Sequence, residues 1–199
     1  MKIKICGIRR KEDIQYVNKH VPDYIGFVFA PSKRQVSEAE AKSLKAVLDT
    51  RIKAVGVFVN EKLERIVDLC KQGIIDIVQL HGQETQEYID TLKQQINAPV
   101  IKAIPVGDDF VLPLSGADYV LFDAPKGGSG KTFDWDKIKE YKKPFFLAGG
   151  ISLENIKAAC AQKPFCIDVS SGAETNFVKD EGKIGQLIAA VRSYSKEAL

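Results

Sequence analysis

Eight short runs rich in β-branched and aromatic residues recur along the chain, at 2–6, 24–29, 52–59, 75–80, 99–104, 118–122, 144–148 and 166–170. Most are near-continuous apolar stretches, the pattern of parallel strands buried on both faces rather than of half-exposed antiparallel ones. Helical patterns lie between them. Over residues 61–72, Leu63, Ile66, Val67 and Cys70 follow the i, i+3, i+4, i+7 rule behind an Asn60 cap. Ser37 with Glu40 makes a capping box ahead of an Ala/Leu/Val helix, and Ile184, Leu187, Ile188 and Val191 line one face of the last segment. The strand ends, near 6, 29, 59, 80, 104, 122, 148 and 170, are roughly 18 to 30 residues apart, about one βα unit each.

Eight such units close a barrel, so the pattern predicts an α/β fold, a (β/α)8 TIM barrel, as a single domain over residues 1–199. A doubly wound open sheet competes, but it carries about five or six strands and a Gly-rich phosphate turn after the first. Here that turn is Cys6-Gly7-Ile8-Arg9. A barrel of 199 residues is a small one, so something must be shortened. The tightest interval, 105–117, holds Gly107, Pro113 and Gly116, which predicts a fifth helix truncated or replaced by a loop.

With 45% hydrophobic and 28% charged residues and no biased stretch, the whole chain is expected to fold. The 29 basic residues against 26 acidic ones are scattered, which disfavours a nucleic-acid partner and suits a small anionic ligand. The N-terminus lacks a signal-peptide core and no segment reaches the eighteen or so apolar residues of a membrane span, so the expected location is cytoplasmic, with no membrane partner. Cys6, Cys70, Cys160 and Cys166 have no C-x-x-C spacing and are expected to be reduced, the last three as core residues.

A βα barrel builds its site at the C-terminal ends of the strands, which singles out Cys6, Arg34, His81, Asp123, Gly149-Gly150 and Ser170-Ser171-Gly172. The loops after strands seven and eight are the usual phosphate cradle of this architecture, offering N–H groups at helix N-termini; paired glycines that merely permit tight turns are the plainer alternative. Gly130-Lys131-Thr132 imitates the end of a nucleotide-binding P-loop, but Pro125 stands where that motif needs its first Gly. A lid hinged by Gly127, Gly128 and Gly130 accounts for this loop better. Cys6 places a thiol at the barrel mouth, although a small apolar filler would serve there too. Asp123 is costly to bury unpartnered, which either catalysis or an ion pair would explain. Arg34 suits a bidentate carboxylate clamp but could equally be a solvated side chain. His81 reads as structural as easily as ligating, with no second ligand at metal spacing beside it.

Lys4-Ile5-Cys6-Gly7, Gly26-Phe27-Val28-Phe29 with Ser32-Lys33-Arg34, Val78-Gln79-Leu80-His81-Gly82, Phe122-Asp123-Ala124, Gly127-Gly128-Ser129-Gly130 with Phe133-Asp134-Trp135, Leu147-Ala148-Gly149-Gly150-Ile151 and Asp168-Val169-Ser170-Ser171-Gly172 stand in order at strand ends. Together they resemble the phosphoribosylanthranilate isomerase family of tryptophan biosynthesis. The resemblance implies an Amadori rearrangement of N-(5′-phosphoribosyl)anthranilate to an aminoketose, with no cofactor and no metal. It implies Cys6 as general base, Asp123 as general acid and Arg34 as the contact for the anthranilate carboxylate. The phosphate would lie at 149–150 and 170–172, with His81 and Gly128 as further substrate contacts. The partner is then a phosphorylated small molecule with an aromatic carboxylate, bound by a monomer or homodimer. Lys33, where the family often has Pro, and Ala173, where Val is frequent, depart from the pattern without removing a functional group.

The chemistry asks for the same residue types. Opening the furanose needs a proton on the ring oxygen, and forming the enolamine needs removal of one from the adjacent carbon, so an acid and a base must both face the sugar. For unperturbed side chains, holding the Asp protonated costs about 4 kcal/mol at neutral pH and ionising the thiol about 2 kcal/mol. Apolar surroundings would help the acid, and Arg34 or the phosphate-binding N–H groups would help the thiol. Another phosphosugar isomerase or lyase on the same barrel, or a non-catalytic phosphate-ligand-binding barrel, are the competing functions; Cys6, Arg34 and Asp123 together disfavour both.

Overall fold

In the computed structural model, which describes residues 1–113, 115–125 and 132–197, the eight runs are strands β1 Lys2–Cys6, β2 Tyr24–Val28, β3 Lys53–Phe58, β4 Ile77–Leu80, β5 Val100–Pro105, β6 Tyr119–Asp123, β7 Phe145–Leu147 and β8 Cys166–Val169. They pair in parallel, in sequence order, and β8 returns to β1 to close the barrel. Parallel strands buried on both faces need apolar residues on both, and the two faces separate cleanly here. Tyr24, Val55, Ile77, Ile101, Leu121, Phe146 and Cys166 fill the barrel's inside. Ile5, Ile25, Phe58, Val78, Phe122 and Ile167 face the helices.

The helices are α1 Lys11–His20, α2 Glu38–Lys45, α3 Leu63–Lys71, α4 Gln86–Gln95, α5 Ile156–Ala161 and α6 Glu181–Glu197. The Ser37–Glu40 capping box is present, and Ile184, Leu187, Ile188 and Val191 are all buried. Among the described residues no helix joins β5 to β6, as Gly107, Pro113 and Gly116 required. The sixth unit is also reduced, to a single 3₁₀ turn at Trp135–Ile138. Asp134 caps that turn by accepting from the Asp136 N–H, and only nine residues lie between Asp134 and Pro144, where β7 follows at once.

The expected Asn60 cap is a correction. The N-cap of α3 is Lys62, without a side-chain bond. Asn60 is held left-handed (φ 49°), and its side chain turns instead to the next loop, accepting from the Gln83 N–H at 2.7 Å. Cys160 and Cys166 are buried as expected, whereas Cys70 is only half-buried at the edge of α3, where Leu69 takes the fully buried place. After β8 the chain adds a 3₁₀ turn, Ser171–Ala173, and a small antiparallel hairpin, β9 Glu174–Thr175 with β10 Val178–Lys179.

Candidate active site

Side chains alternate along a strand, so Lys4 and Cys6 point into the barrel from β1, Gln79 and His81 from β4 and just beyond it, and Asp168 and Ser170 from β8. At the C-terminal end all of these but Lys4, which lies buried beneath, meet in a cavity of about 280 Å³. Cys6, Arg34, His81, Asp123, Gly149, Gly150, Ser170 and Ser171 all line it, and Gly172 lies in the adjoining groove with Gly150 and Ser171. Val28, Pro31, Val57 and Val59 form an apolar wall on the side of β2 and β3. Gly128 and the rest of the expected lid fall within 126–131, outside the described residues.

Cys6 ends β1 opposite Gly26 of β2, and a Cβ at Gly26 would come within 2.6 Å of the Cys6 Sγ; the missing side chain is what gives the thiol its place. Burial pushes this thiol above its ordinary value. The charges of Lys4 and Lys179 pull it back, and that of Asp168 adds to the rise. Arg34, expected to ease ionisation, does so too, since the thiolate charge raises the guanidinium's own value in return, although most of the fork is committed elsewhere. Its Nε and Nη2 donate to the two oxygens of Glu174 at 2.7 and 2.8 Å, a bidentate pair with only 19% of the Arg34 side chain exposed. Lys179 donates to the same carboxylate at 2.6 Å and to the Ser170 carbonyl at 3.0 Å. Among the described residues Nη1 of the guanidinium meets no acceptor, which leaves its donors for another partner.

The two loops expected to cradle a phosphate are turned by Gly149 and Gly150, at φ 83° and 60°, and by the 3₁₀ turn after Ser170. Among the described residues no protein acceptor meets the N–H groups of Gly150, Ile151, Ser171 or Gly172. Helical turns stand behind both loops: the Ile156 N–H donates to the Ser152 carbonyl at 2.9 Å in the turn that leads into α5, and a 3₁₀ turn follows Ser170. Orphan N–H groups at the start of a 3₁₀ turn are donors in the same way.

Sequence reasoning passed over the polar floor of the cavity. Lys4, fully buried, donates to Asp168 Oδ2 at 2.9 Å and to Gln79 Oε1 at 2.8 Å. Gln79 Nε2 lies 3.0 Å from His81 Nδ1, and His81 Nε2 lies 3.2 Å from Asp123 Oδ2. Asp123 Oδ1 accepts from the Ala124 N–H at 2.8 Å. Asp168 Oδ1 is buried and meets no partner among the described residues, at the cavity wall. Strand parity was the available signal, since Lys4 and Gln79 each stand two residues before a mouth residue, Cys6 or His81. No three His, Cys, Asp or Glu side chains among the described residues converge as a metal site would require.

Fold and site together define a (β/α)8-barrel enzyme with a thiol and a carboxyl facing one small cavity. The family model described as N-(5′-phosphoribosyl)anthranilate (PRA) isomerase matches residues 3–190. An N-(5′-phosphoribosyl)anthranilate isomerase of Endomicrobium trichonymphae is 49% identical over 96% of this chain and 98% of its own. The crystal structure of the Thermus thermophilus phosphoribosyl anthranilate isomerase superposes with a TM-score of 0.88 at 31% identity, covering 97% of this chain and 99% of that one. A phosphoribosyl anthranilate isomerase in complex with reduced 1-(o-carboxyphenylamino)-1-deoxyribulose 5-phosphate gives 0.82 at 31% identity, over 97% and 99%. The chain belongs to the N-(5′-phosphoribosyl)anthranilate isomerase family. It is an isomerase of the aldose–ketose type acting on N-(5′-phosphoribosyl)anthranilate in tryptophan biosynthesis.

Proposed function

We propose that the isomerisation runs with Cys6 as general base and Asp123 as general acid. The observation that carries this is their shared cavity: they end β1 and β6, strands that are not neighbours, and so approach one bound sugar from different sides. Asp123 protonates the furanose ring oxygen as the ring opens to the imine. The Cys6 thiolate then removes the proton from the adjacent carbon, giving the enolamine that becomes the aminoketose. A proton returned to the enolamine carbon next to nitrogen, with loss of the enol hydroxyl proton, gives 1-(2-carboxyphenylamino)-1-deoxyribulose 5-phosphate.

The free N–H groups of Gly150, Ile151, Ser171 and Gly172 receive the phosphate on this reading. Arg34 Nη1 takes the anthranilate carboxylate, and the Val28, Pro31, Val57 and Val59 wall beside it receives the aromatic ring. His81 and Gly128 contact the substrate as well. The barrel over residues 1–199 acts as one domain in the cytoplasm, as a monomer or homodimer, with no nucleic acid among its partners. No helix among the described residues is long and apolar enough to cross a membrane.

Purified protein mixed with N-(5′-phosphoribosyl)anthranilate should convert it to the equal-mass product, separable by chromatography. Cys6→Ser and Asp123→Asn, both near-isosteric, should each lower turnover on the order of 10²–10⁴-fold with the fold retained. Near-normal turnover in Cys6→Ser would reject the thiol as base and move attention to Asp168.

A further inference from the structure

We propose that Lys4 and Gln79 are positioning residues that fix His81 as its neutral Nε2–H tautomer and so aim the proton of Asp123 at the substrate; this rests on the reading of Asp123 as the acid. The chain of constraint starts at the one group whose hydrogen-bonding sense is beyond choice. An ammonium only donates, and Lys4 is fully buried with Asp168 Oδ2 at 2.9 Å and Gln79 at 2.8 Å. The side-chain oxygen of Gln79 must therefore face Lys4, which turns its amide nitrogen toward His81 Nδ1, 3.0 Å away. An amide nitrogen also only donates, so Nδ1 must accept. A ring whose Nδ1 accepts carries its proton on Nε2, the atom 3.2 Å from Asp123 Oδ2.

The consequence falls on Asp123. With Nε2 a donor and the Ala124 N–H donating to Oδ1 at 2.8 Å, neither neighbour can accept a proton from the carboxylic acid. The acid proton is left to point into the cavity, where the ring oxygen arrives. Once it has been transferred, the carboxylate keeps both donors, so these bonds strengthen as charge develops on Asp123. The opposite tautomer would reverse this, because an accepting Nε2 would draw the acid proton away from the substrate.

The test reads the ring itself. The chain has two histidines, so His20→Gln leaves His81 alone in a ¹⁵N-histidine spectrum. At neutral pH and without substrate, Nδ1 should give a pyridine-type signal and Nε2 a pyrrole-type one. Gln79→Glu offers acceptors to both Lys4 and His81, so Nδ1 should become pyrrole-type. Its kcat should drop on the order of 10–10²-fold with KM changed far less, the expected cost of a misdirected catalytic group. Gln79→Met, which removes the amide donor without adding charge, should release the ring to a mixture of tautomers and lower kcat in the same way, and it serves if the Glu variant does not fold. A wild-type ring protonated at Nδ1, or a Gln79 variant that changes the tautomer at unchanged kcat, would overturn the proposal. Full turnover in Asp123→Asn would instead remove the assignment of the acid, and the spectrum would still report the tautomer.

Discussion

A thiol that serves as a base must lose its proton, and burial at Cys6 works against that by raising its value above the ordinary one. The active form is the thiolate, so a raised value means less of it at neutral pH, and the acidic limb of kcat/KM should lie to the alkaline side of free cysteine. Lys179 is one of the cations that lower the thiol. Lys179→Met should therefore move that limb further alkaline while Glu174 keeps Arg34; a limb that moves toward acid in pH-rate profiles would contradict the assignment. Arg34→Ala should raise KM more than it lowers kcat if the guanidinium chiefly positions the substrate carboxylate, although a misplaced substrate also reacts more slowly. At this scale the sequence made the mouth residues legible because all but Arg34 stand at or just past the end of an apolar run. Lys4 and Gln79 were hidden for the opposite reason. A lysine inside a strand reads as solvent-facing, and its partner Asp168 lies 164 residues away, brought near only when β8 pairs with β1. Glu174 was equally invisible, since nothing in its neighbourhood announces that it will occupy Arg34 across 140 residues.

Elements were easier to see than their ends. All eight strands were legible because burial on both faces forces continuous apolar runs, and the missing fifth helix because its interval is short and holds Gly and Pro. The reduction of the sixth unit was missed because its Lys/Glu-rich stretch after Asp134 has helix-forming composition but too few residues before Pro144 to build on. The Asn60 cap failed for a different reason: a side chain that can cap a helix can also bond a neighbouring loop, and Gln83 won. Strand pairing also constrains the site directly. Because Gly26 stands opposite Cys6 in register, Gly26→Ala places a methyl group 2.6 Å from Sγ, closer than any real contact allows. The thiol must swing away or the strands must part. We expect kcat to fall on the order of 10²-fold, the cost of about 1 Å of misplacement at a reacting atom, with the far-ultraviolet circular dichroism unchanged. An Ala variant with wild-type kcat would show that the thiol position is not critical.

For the molecule as a whole, closure depends on more than the β1–β8 ladder, because the loops above the barrel must also be held for the cavity to keep its shape. Arg34 in the loop after β2 and Lys179 in the hairpin after β8 meet on Glu174, so one carboxylate ties the two ends of the chain together across the mouth. Burial opposes the charge on Glu174, but the hydrogen bonds from Arg34 and the charge of Lys179 outweigh it and hold the carboxyl at about 2. An unfolded glutamate titrates near 4.3, so the folded value is depressed and the stabilisation is fully present above that pH. It is lost as the pH falls from there toward about 2. Glu174→Gln keeps the shape and removes the charge, leaving two cations facing each other. At neutral pH it should cost roughly 3 kcal/mol, the order found when one partner of a buried ion pair is removed. The cost should shrink in acid, because the wild-type carboxyl is then protonated as well. Urea unfolding of both proteins at neutral pH and again near the low end of that window measures the difference directly. A gap between them that stays constant or widens in acid would mean that the Glu174 charge is not what holds the mouth together.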